Sequence, residues 1–486
     1  MNRQRSTATT VATGVTTSTA TGTASRVATV VATAGAAVLT VGLCLGLAVS
    51  GLAAVAGAAG TAVAAAAAAA AAAPSAAGTA TGAATGSKTK ITHLTFYWHG
   101  QEFTDWLEWA AKEFEKENPG IDIDIMTTGG PQQTEYFTKL TSMLAAGTPP
   151  NVIDYIDLNL DPKLFVDLRP YLGLAPPVSL DQFPAGVLPW ISGPSGEILA
   201  LPWDIYPVVA YFNQDLLDER GLLDPYRLGS KWNWESLISN SLKLTQDLTG
   251  DGFPEAYGLD RMWAYVDLAI WNAGGQRYDR FVNPTRAQFN TPEVIKGLQW
   301  IQDVHCKWQV TPPGLAAIQT RYAFWLGTVG YALVDGPGGM QRLMNVKFRW
   351  DIALQPAGPA RAGGGMFVDQ FRILRAASHT AEAVRWVKFL STRQEVVERL
   401  VTMTGRVPAL SGLDYLKLNP AAPRHAQVFM LQAMRPDNLP PYIVPRSADI
   451  DKATAEIWDN ILLGKIEVGV AVQMLDDVIN AILRRK

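Results

Sequence analysis

The sequence predicts an α/β fold in two domains, and three observations carry that reading. Strand, helix, strand, helix and strand signals follow one another between Ile91 and Ile156, the pattern of parallel βαβ units. The chain has 486 residues, too many for a single core. The stretch LPWDIYPVVAYFN (201–213) sets Trp203 beside Asp204 between Pro202 and Pro207, directly ahead of an apolar, β-rich run that reads as a buried strand.

Leu94-Thr95-Phe96-Tyr97-Trp98 reads as the first strand, and His99-Gly100-Gln101 turns out of it. Phe103, Trp106, Leu107, Ala110, Ala111 and Phe114 then fall on one face of a helix that Asn118-Pro119-Gly120 stops. Ile121, Ile123 and Ile125 alternate with Asp122 and Asp124, which is a strand. A second helix is expected over about 134–146, ended by Gly147 and Pro149-Pro150, and Val152–Ile156 is the third strand. Further on, Thr291-Pro292-Glu293 is a capped helix start, with Val294, Leu298, Ile301, His305 and Trp308 on one face. Val329–Val334 reads as a strand before Asp335-Gly336-Pro337-Gly338-Gly339. Residues 380–401 read as one helix, and an amphipathic helix carrying Val468, Val472, Leu475, Ile479 and Ile482 closes the chain.

The N-terminus differs from the rest. Residues 1–87 hold three arginines (Arg3, Arg5, Arg26) and no acid, and nothing is charged from Val27 to Ser87. The apolar run 27–49 would span roughly 34 Å as a helix, enough to cross a bilayer core. Arginines, an apolar run and small residues such as Ala54-Val55-Ala56 have the order of an export signal, against the alternative of low-complexity sequence behind a misread start. Cleavage and retention as a membrane anchor stay open. Cys44 is a candidate for lipid attachment, although Leu43 stands where a small residue is usual. Without the leader, 38 basic residues face 44 acidic ones, a net charge of −6 that argues against nucleic acid as a partner. Cys306 then has no partner in its chain, so the fold rests on its core.

Phosphate-loop, dinucleotide, zinc-protease and nucleophile-elbow motifs are all missing, and the five histidines are scattered. No cofactor is expected. Asp247, Thr249 and Asp251, with Gly252, resemble the first half of a calcium loop. Gly258 stands where the bidentate Glu belongs, so a hydrogen-bonded turn is the favoured reading. Aromatic residues are abundant: 15 Trp, 14 Tyr and 16 Phe. Several sit at strand ends beside acids or amides, which is what a pyranose needs: flat rings for its C–H faces and acceptors for its hydroxyls.

Nine stretches, in order, carry a resemblance: ITHLTFYWHGQ; FTDWLEWAAKEFEKENPGIDIDI; KLTSMLAAGTPPNVIDY; DLRPYL; GEILALPWDIYPVVAYFNQDLLDERGL; WNWESLISNSLKLTQ; NTPEVIKGLQWIQD; GYALVDGPGG; and EAVRWVKFLSTRQ. From about 91 to 486 the chain resembles the extracellular solute-binding proteins of ABC importers, in the sugar-binding branch related to maltose-binding protein. The resemblance implies two α/β lobes, each a mostly parallel sheet flanked by helices, joined by crossing hinge strands with the ligand in the cleft between them. It implies an N-terminal lobe of 91–207 and about 356–406, and a C-terminal lobe of about 208–355 and 407–486. Pro202 and Pro207 would then stiffen the first crossing, with Trp203 and Asp204 at the cleft floor; the alternative is that Trp203 caps a core and Asp204 begins a turn.

Carried over residue by residue, the implied ligand contacts are Trp98, His99 and Glu102 after the first strand, Tyr155 as a stacking ring with Asp157 near it, Trp203 and Asp204, Trp263 and Trp271 from the second lobe, Asp335, and Asp369 at the second crossing. Gly338 replaces a Trp of the maltose-binding branch, and that branch's C-terminal stacking Trp has no clear match, which puts maltodextrin in doubt. The implied function is capture of a sugar without chemistry, by an exported monomer that delivers it to ABC-transporter permease subunits. The rivals are a polyamine, peptide or other solute in the same fold, and an exported carbohydrate-active enzyme.

Overall fold

The computed structural model describes residues 88–96, 99–128, 133–154, 160–313, 323–343 and 345–485. The export segment, Cys44, Trp98, Tyr155 and Asp157 lie outside them. The predicted βαβ opening is present. Strand β1 (Thr89–Thr95) leads into helix α1 (Gln101–Glu117), which buries Phe103, Trp106, Leu107, Ala110, Ala111 and Phe114. Asn118 ends α1 by donating from its side chain to the Phe114 carbonyl at 2.9 Å. Strand β2 (Ile121–Thr127) then pairs in parallel with β1, and Ile91 and Ile123 stand opposite each other. Helix α2 (Gln133–Ala145) returns the chain to the short strand β3 (Val152–Ile153), also parallel to β1.

Strand β4 (Leu201–Pro207) belongs to this first sheet, and β5 (Val209–Asn213), a residue later, belongs to another. The second sheet adds β6 (Tyr257–Asp260), β7 (Val329–Asp335) and β8 (Trp350–Ala353), and this stretch carries helices α3 (Trp234–Leu244), α4 (Val266–Asn272) and α5 (Pro292–Gln302). The chain then crosses back, and β9 (Met366–Ile373) inserts between β3 and β4. Strand orders are β2-β1-β3-β9-β4 and β6-β7-β5-β8. Both sheets are mixed rather than mostly parallel, because β5 and β9, the strands that follow the two crossings, run antiparallel to their neighbours.

Two helical expectations need correction. The helix expected over 380–401 breaks at Arg393, whose ψ of 113° is extended, giving α6 (Thr380–Thr392) and α7 (Gln394–Thr404). The helix capped by Thr291 is regular only over Pro292–Gln302; it widens into a π turn at Asp303–Lys307, leaving Trp308 beyond it. The closing helix, Val468–Leu483, is as expected.

One apolar cluster gathers α1, α6 and α7 onto the first sheet and includes Val407, Ala409, Val428 and Phe429. A second packs Phe212, Leu237, Tyr265 and Tyr331 about the second sheet. A third joins Ile270, Leu298, Ile457 and Leu475. Two polar groups inside the first cluster find partners. Trp386 Nε1 donates to His93 Nδ1 at 3.1 Å, and the buried Lys388 ammonium donates to four carbonyls, those of Tyr171, Leu172, Leu174 and Pro176.

Candidate functional site

Asp204 and Asp369 face each other across the antiparallel β4–β9 ladder. The register slips between Pro202 and Asp204, so Trp203 is the extra residue of a bulge, the device that re-aims a side chain locally. Like charges opposite each other repel, and a cation resolves the conflict. Gly405, at φ 69°, ends α7 in a conformation that suits glycine, and the chain then runs beside β4, where Ile205 N donates to the Val407 carbonyl at 2.9 Å. That path delivers Arg406. Its Nη1 donates to Asp204 Oδ2 at 2.7 Å and to Asp369 Oδ2 at 3.2 Å, its Nη2 donates to the His99 carbonyl at 3.3 Å, and the guanidinium lies 4.9 Å from the centre of the Trp203 ring. Asp204 is buried, and Asp369 and Arg406 are partly exposed. Burial and then the charge of Asp369 push the Asp204 carboxyl up to about 7, with Arg406 opposing them.

Behind this knot lies a relay of imidazoles. Asp154, fully enclosed, has His93 Nε2 at 3.5 Å and His99 Nε2 at 3.6 Å, and its Oδ1 accepts from Phe96 N at 3.0 Å. Burial alone would raise its pKa; the two histidines outweigh burial and hold it well below the usual carboxylate range. The His99 ring therefore turns toward Asp154, with its edge on Trp203 at 5.1 Å.

A second knot sits at the carboxyl ends of the parallel strands β6 and β7, where open α/β sheets gather ligands. Arg261, left-handed at φ 41°, donates through Nε to Asp260 Oδ1 at 3.2 Å and pairs through Nη2 with Asp335 Oδ2. Asp260 is fully enclosed, and burial pushes its carboxyl up to about 6 against the pull of Arg261. Tyr206 lies between the knots. A Cβ at Gly336 would overlap its ring, and one at Gly338 would come within 3.1 Å of it. Burial and then the Asp335 charge push its hydroxyl up to about 12, and Arg406 feels it from the other side. Tyr206 stands opposite Phe367 in the ladder, and Phe367 is 44% exposed.

Several buried polar atoms here have no hydrogen-bond partner among the described residues: Asp204 Oδ1, Asp335 Oδ1, Trp203 Nε1, Trp263 Nε1 and the hydroxyls of Thr95 and Thr128. Such atoms also occur elsewhere, at Gln246, Asp267, Asn272 and Gln355 among others, but the two carboxylate oxygens of the knots suit a polar ligand or water.

The structure thus brings His99, Trp203, Asp204 and Asp369 together around Arg406, and puts Asp335 in the second knot. Trp203 itself is enclosed, 4.4 Å from Phe103 and 5.9 Å from Phe371 between ring centres, so its contribution to the site runs through Arg406. Trp263 is half-buried just after Arg261. Trp271 is apart: its Nε1 donates to the Asp437 carbonyl at 2.7 Å and Arg361 covers its ring at 3.8 Å. Glu102 is exposed in the first turn of α1. In the 247–252 turn, Asp247 accepts from the backbone of Gly250 and Gly252 at 2.7 and 2.8 Å, and Asp251 accepts from Phe253 N, so the oxygens a calcium ion would use serve the turn. Among the described residues no group of three or more acidic, His or Cys side chains is placed to hold a metal, and no helix is long and apolar enough to cross a membrane. Sequence reasoning missed Arg406, Arg261, Asp260, Tyr206 and Phe367. The signals for Arg406 were the helix-ending glycine and the following Val-Pro, which place a lone arginine just past a helix without saying what it meets.

The family model for bacterial extracellular solute-binding proteins matches residues 97–396. No curated protein sequence matches the chain. Among solved structures, an ABC substrate-binding protein from Listeria monocytogenes in complex with cycloalternan is similar at TM-score 0.66 and 19% identity, over 82% of this chain and 100% of that one. A cyclo/maltodextrin-binding protein complexed with maltotetraose is similar at TM-score 0.67 and 17% identity, over 82% and 98%. A cyclic α-maltosyl-1,6-maltose binding protein from Arthrobacter globiformis is similar at TM-score 0.66 and 18% identity, over 82% and 99%. At these identities the likeness is one of fold.

Proposed function

Because the chain belongs to the bacterial extracellular solute-binding proteins, whose family model spans more than half of it, we propose that it captures a sugar between its two lobes and passes it unchanged to the permease of an ABC importer. The observation that carries this reading is the pair of arginine-bridged acid knots, each with one buried carboxylate oxygen that has no hydrogen-bond partner among the described residues, on either side of the Tyr206 ring. Carboxylates held by arginine are oriented acceptors for sugar hydroxyls, and Tyr206 and Phe367 offer faces for the C–H side of the ring. Ligand touches one knot first, the lobes turn about the crossings at 207–209 and 353–366, and the second knot completes the hydrogen bonds. The similar solved structures in complex with cycloalternan and with maltotetraose support a sugar here.

Under this proposal the ligand contacts are His99, Asp204, Trp263, Asp335 and Asp369, joined by Tyr206 and Phe367, with Glu102 on the rim and Trp203 supporting Arg406; Trp98, Tyr155 and Asp157 stay contacts on the strength of the resemblance alone. The lobes divide near 207 and 355, and the core that Val407, Ala409 and Phe429 share with the first sheet supports placing 407–433 in the first lobe. Residues 1–87 serve as export signal or anchor, and the mature protein acts as a monomer. Titration of tryptophan fluorescence, together with thermal melting, against neutral di- to tetrasaccharides tests the function. A saturable signal and a raised Tm are expected for at least one sugar. If no saccharide moves either readout, the sugar reading fails.

A further inference from the structure

We infer that the cleft is built for a saccharide bearing a positive charge, an amino-substituted sugar in preference to a neutral or acidic one; the inference rests on the sugar reading above. Each knot contains two carboxylates and one guanidinium, so each carries one excess negative charge when ionised. Asp204 is 1% exposed and Asp335 5% exposed, and in both the Oδ1 oxygen lacks a hydrogen-bond partner among the described residues. A sugar hydroxyl can donate to such an oxygen, but it leaves the excess charge in place when the lobes shut and water leaves. An ammonium donates and also neutralises. Between the knots lies Tyr206, with Phe367 exposed beside it, and an aromatic face is a favourable seat for a cation. Arg342, whose field reaches Tyr206, is held against the Trp325 ring at 4.8 Å. A uronate would meet two excess negative charges.

The groups around Asp204 agree. Asp369 opposes it, Arg406 binds it, the fields of His99 and Asp204 reach each other, and Tyr415 feels its charge. Burial and the Asp369 charge make its ionised form costly and push the carboxyl up to about 7. An arriving ammonium favours the carboxylate, and the displaced proton goes to solvent.

Isothermal titration of the full chain at pH 7 separates the outcomes. The probes are maltotriose, 6-amino-6-deoxymaltotriose, the N-acetylglucosamine trimer, the glucosamine trimer, trigalacturonate and spermidine. The expected result is that at least one amino sugar binds about tenfold or more tighter than its uncharged counterpart, with trigalacturonate weakest. Repeating that titration in buffers of different ionisation enthalpy should show up to about half a proton released per cation bound, since a carboxyl with a pKa of about 7 is half protonated at pH 7. Asp204→Asn, checked for folding by its melting curve, should cut the preference to about threefold or less; the wild-type pairs test the inference even if that variant does not fold. Neutral sugars binding as tightly as their amino counterparts would overturn the inference and leave the sugar reading standing. Spermidine binding with no saccharide bound would overturn the sugar reading itself, and silence from every probe would overturn both.

Discussion

The two acid knots use the same three groups and differ in how the chain supplies them. In the second, Asp260 and Arg261 are consecutive, Asp335 ends the neighbouring strand, and the side chains of all three are at most 7% exposed. In the first, Arg406 reaches Asp204 from 202 residues away, Asp369 lies on the strand that returns from the other sheet, and the Arg406 side chain is 22% exposed. The second knot is thus fixed within one sheet end, whereas the first is assembled from two hinge strands and a separate segment. Under the proposed closure the first knot moves with the first sheet and the second knot with the second sheet. The lesson is that identical charge arithmetic yields an enclosed cluster where neighbours in sequence supply it, and a partly exposed one where distant segments do.

The sharpest way to break this contrast is to delete each cation. Arg261→Met strands two enclosed carboxylates, and we expect a loss of about 3–5 kcal/mol in chemical denaturation. Arg406→Met should cost less, about 1–3 kcal/mol, since water can reach Asp369, while ligand affinity falls in step. Equal losses would show that the first knot is as enclosed as the second. A third measurement sharpens the comparison through pH. The folded pKa values of Asp204 and Asp260, about 7 and about 6, lie above the ordinary 3.8, so the folded state keeps protons that the unfolded chain releases. Without ligand, stability should fall as pH climbs from about 4 to about 7, by up to about 1.4 kcal/mol per unit for each group. Asp154, held low, acts oppositely: its contribution is present above 3.8 and lost as pH drops below that. Melting temperature should therefore peak on the mildly acid side, and Asp204→Asn should flatten the neutral limb. A flat profile from pH 5 to 8 in the wild type would remove the distinction between the two buried acids and ordinary ones.

Much of the scaffold was legible in the sequence because periodicity is local. The six apolar positions of α1, the Ile alternation of β2 and the strand ahead of Gly336 each declare themselves within a few residues. Two candidates, Asp204 and Asp369, were named from separate stretches and stand opposite each other. What stayed hidden is what depends on long-range register. Nothing near Arg406 announces two acids, and nothing near Asp260-Arg261 announces Asp335. The resemblance carried Trp271 over as a ligand ring, and its indole nitrogen donates to a carbonyl from residue 437. A tryptophan's composition is the same in a cleft and in a core; only its partners tell them apart.

The segment that carries Arg406 has one more effect. Strand β4 ends its sheet, and an uncovered outer strand invites another molecule to add alongside it. Val407 accepts from Ile205, Ala409 donates to Trp203, and Pro408 bridges beside Asp204, so this margin is already occupied by the protein's own backbone. The prolines at 202, 207 and 408 bring no amide hydrogen that a stranger's carbonyl could use. An exported protein is thereby spared strand addition by its neighbours along this margin.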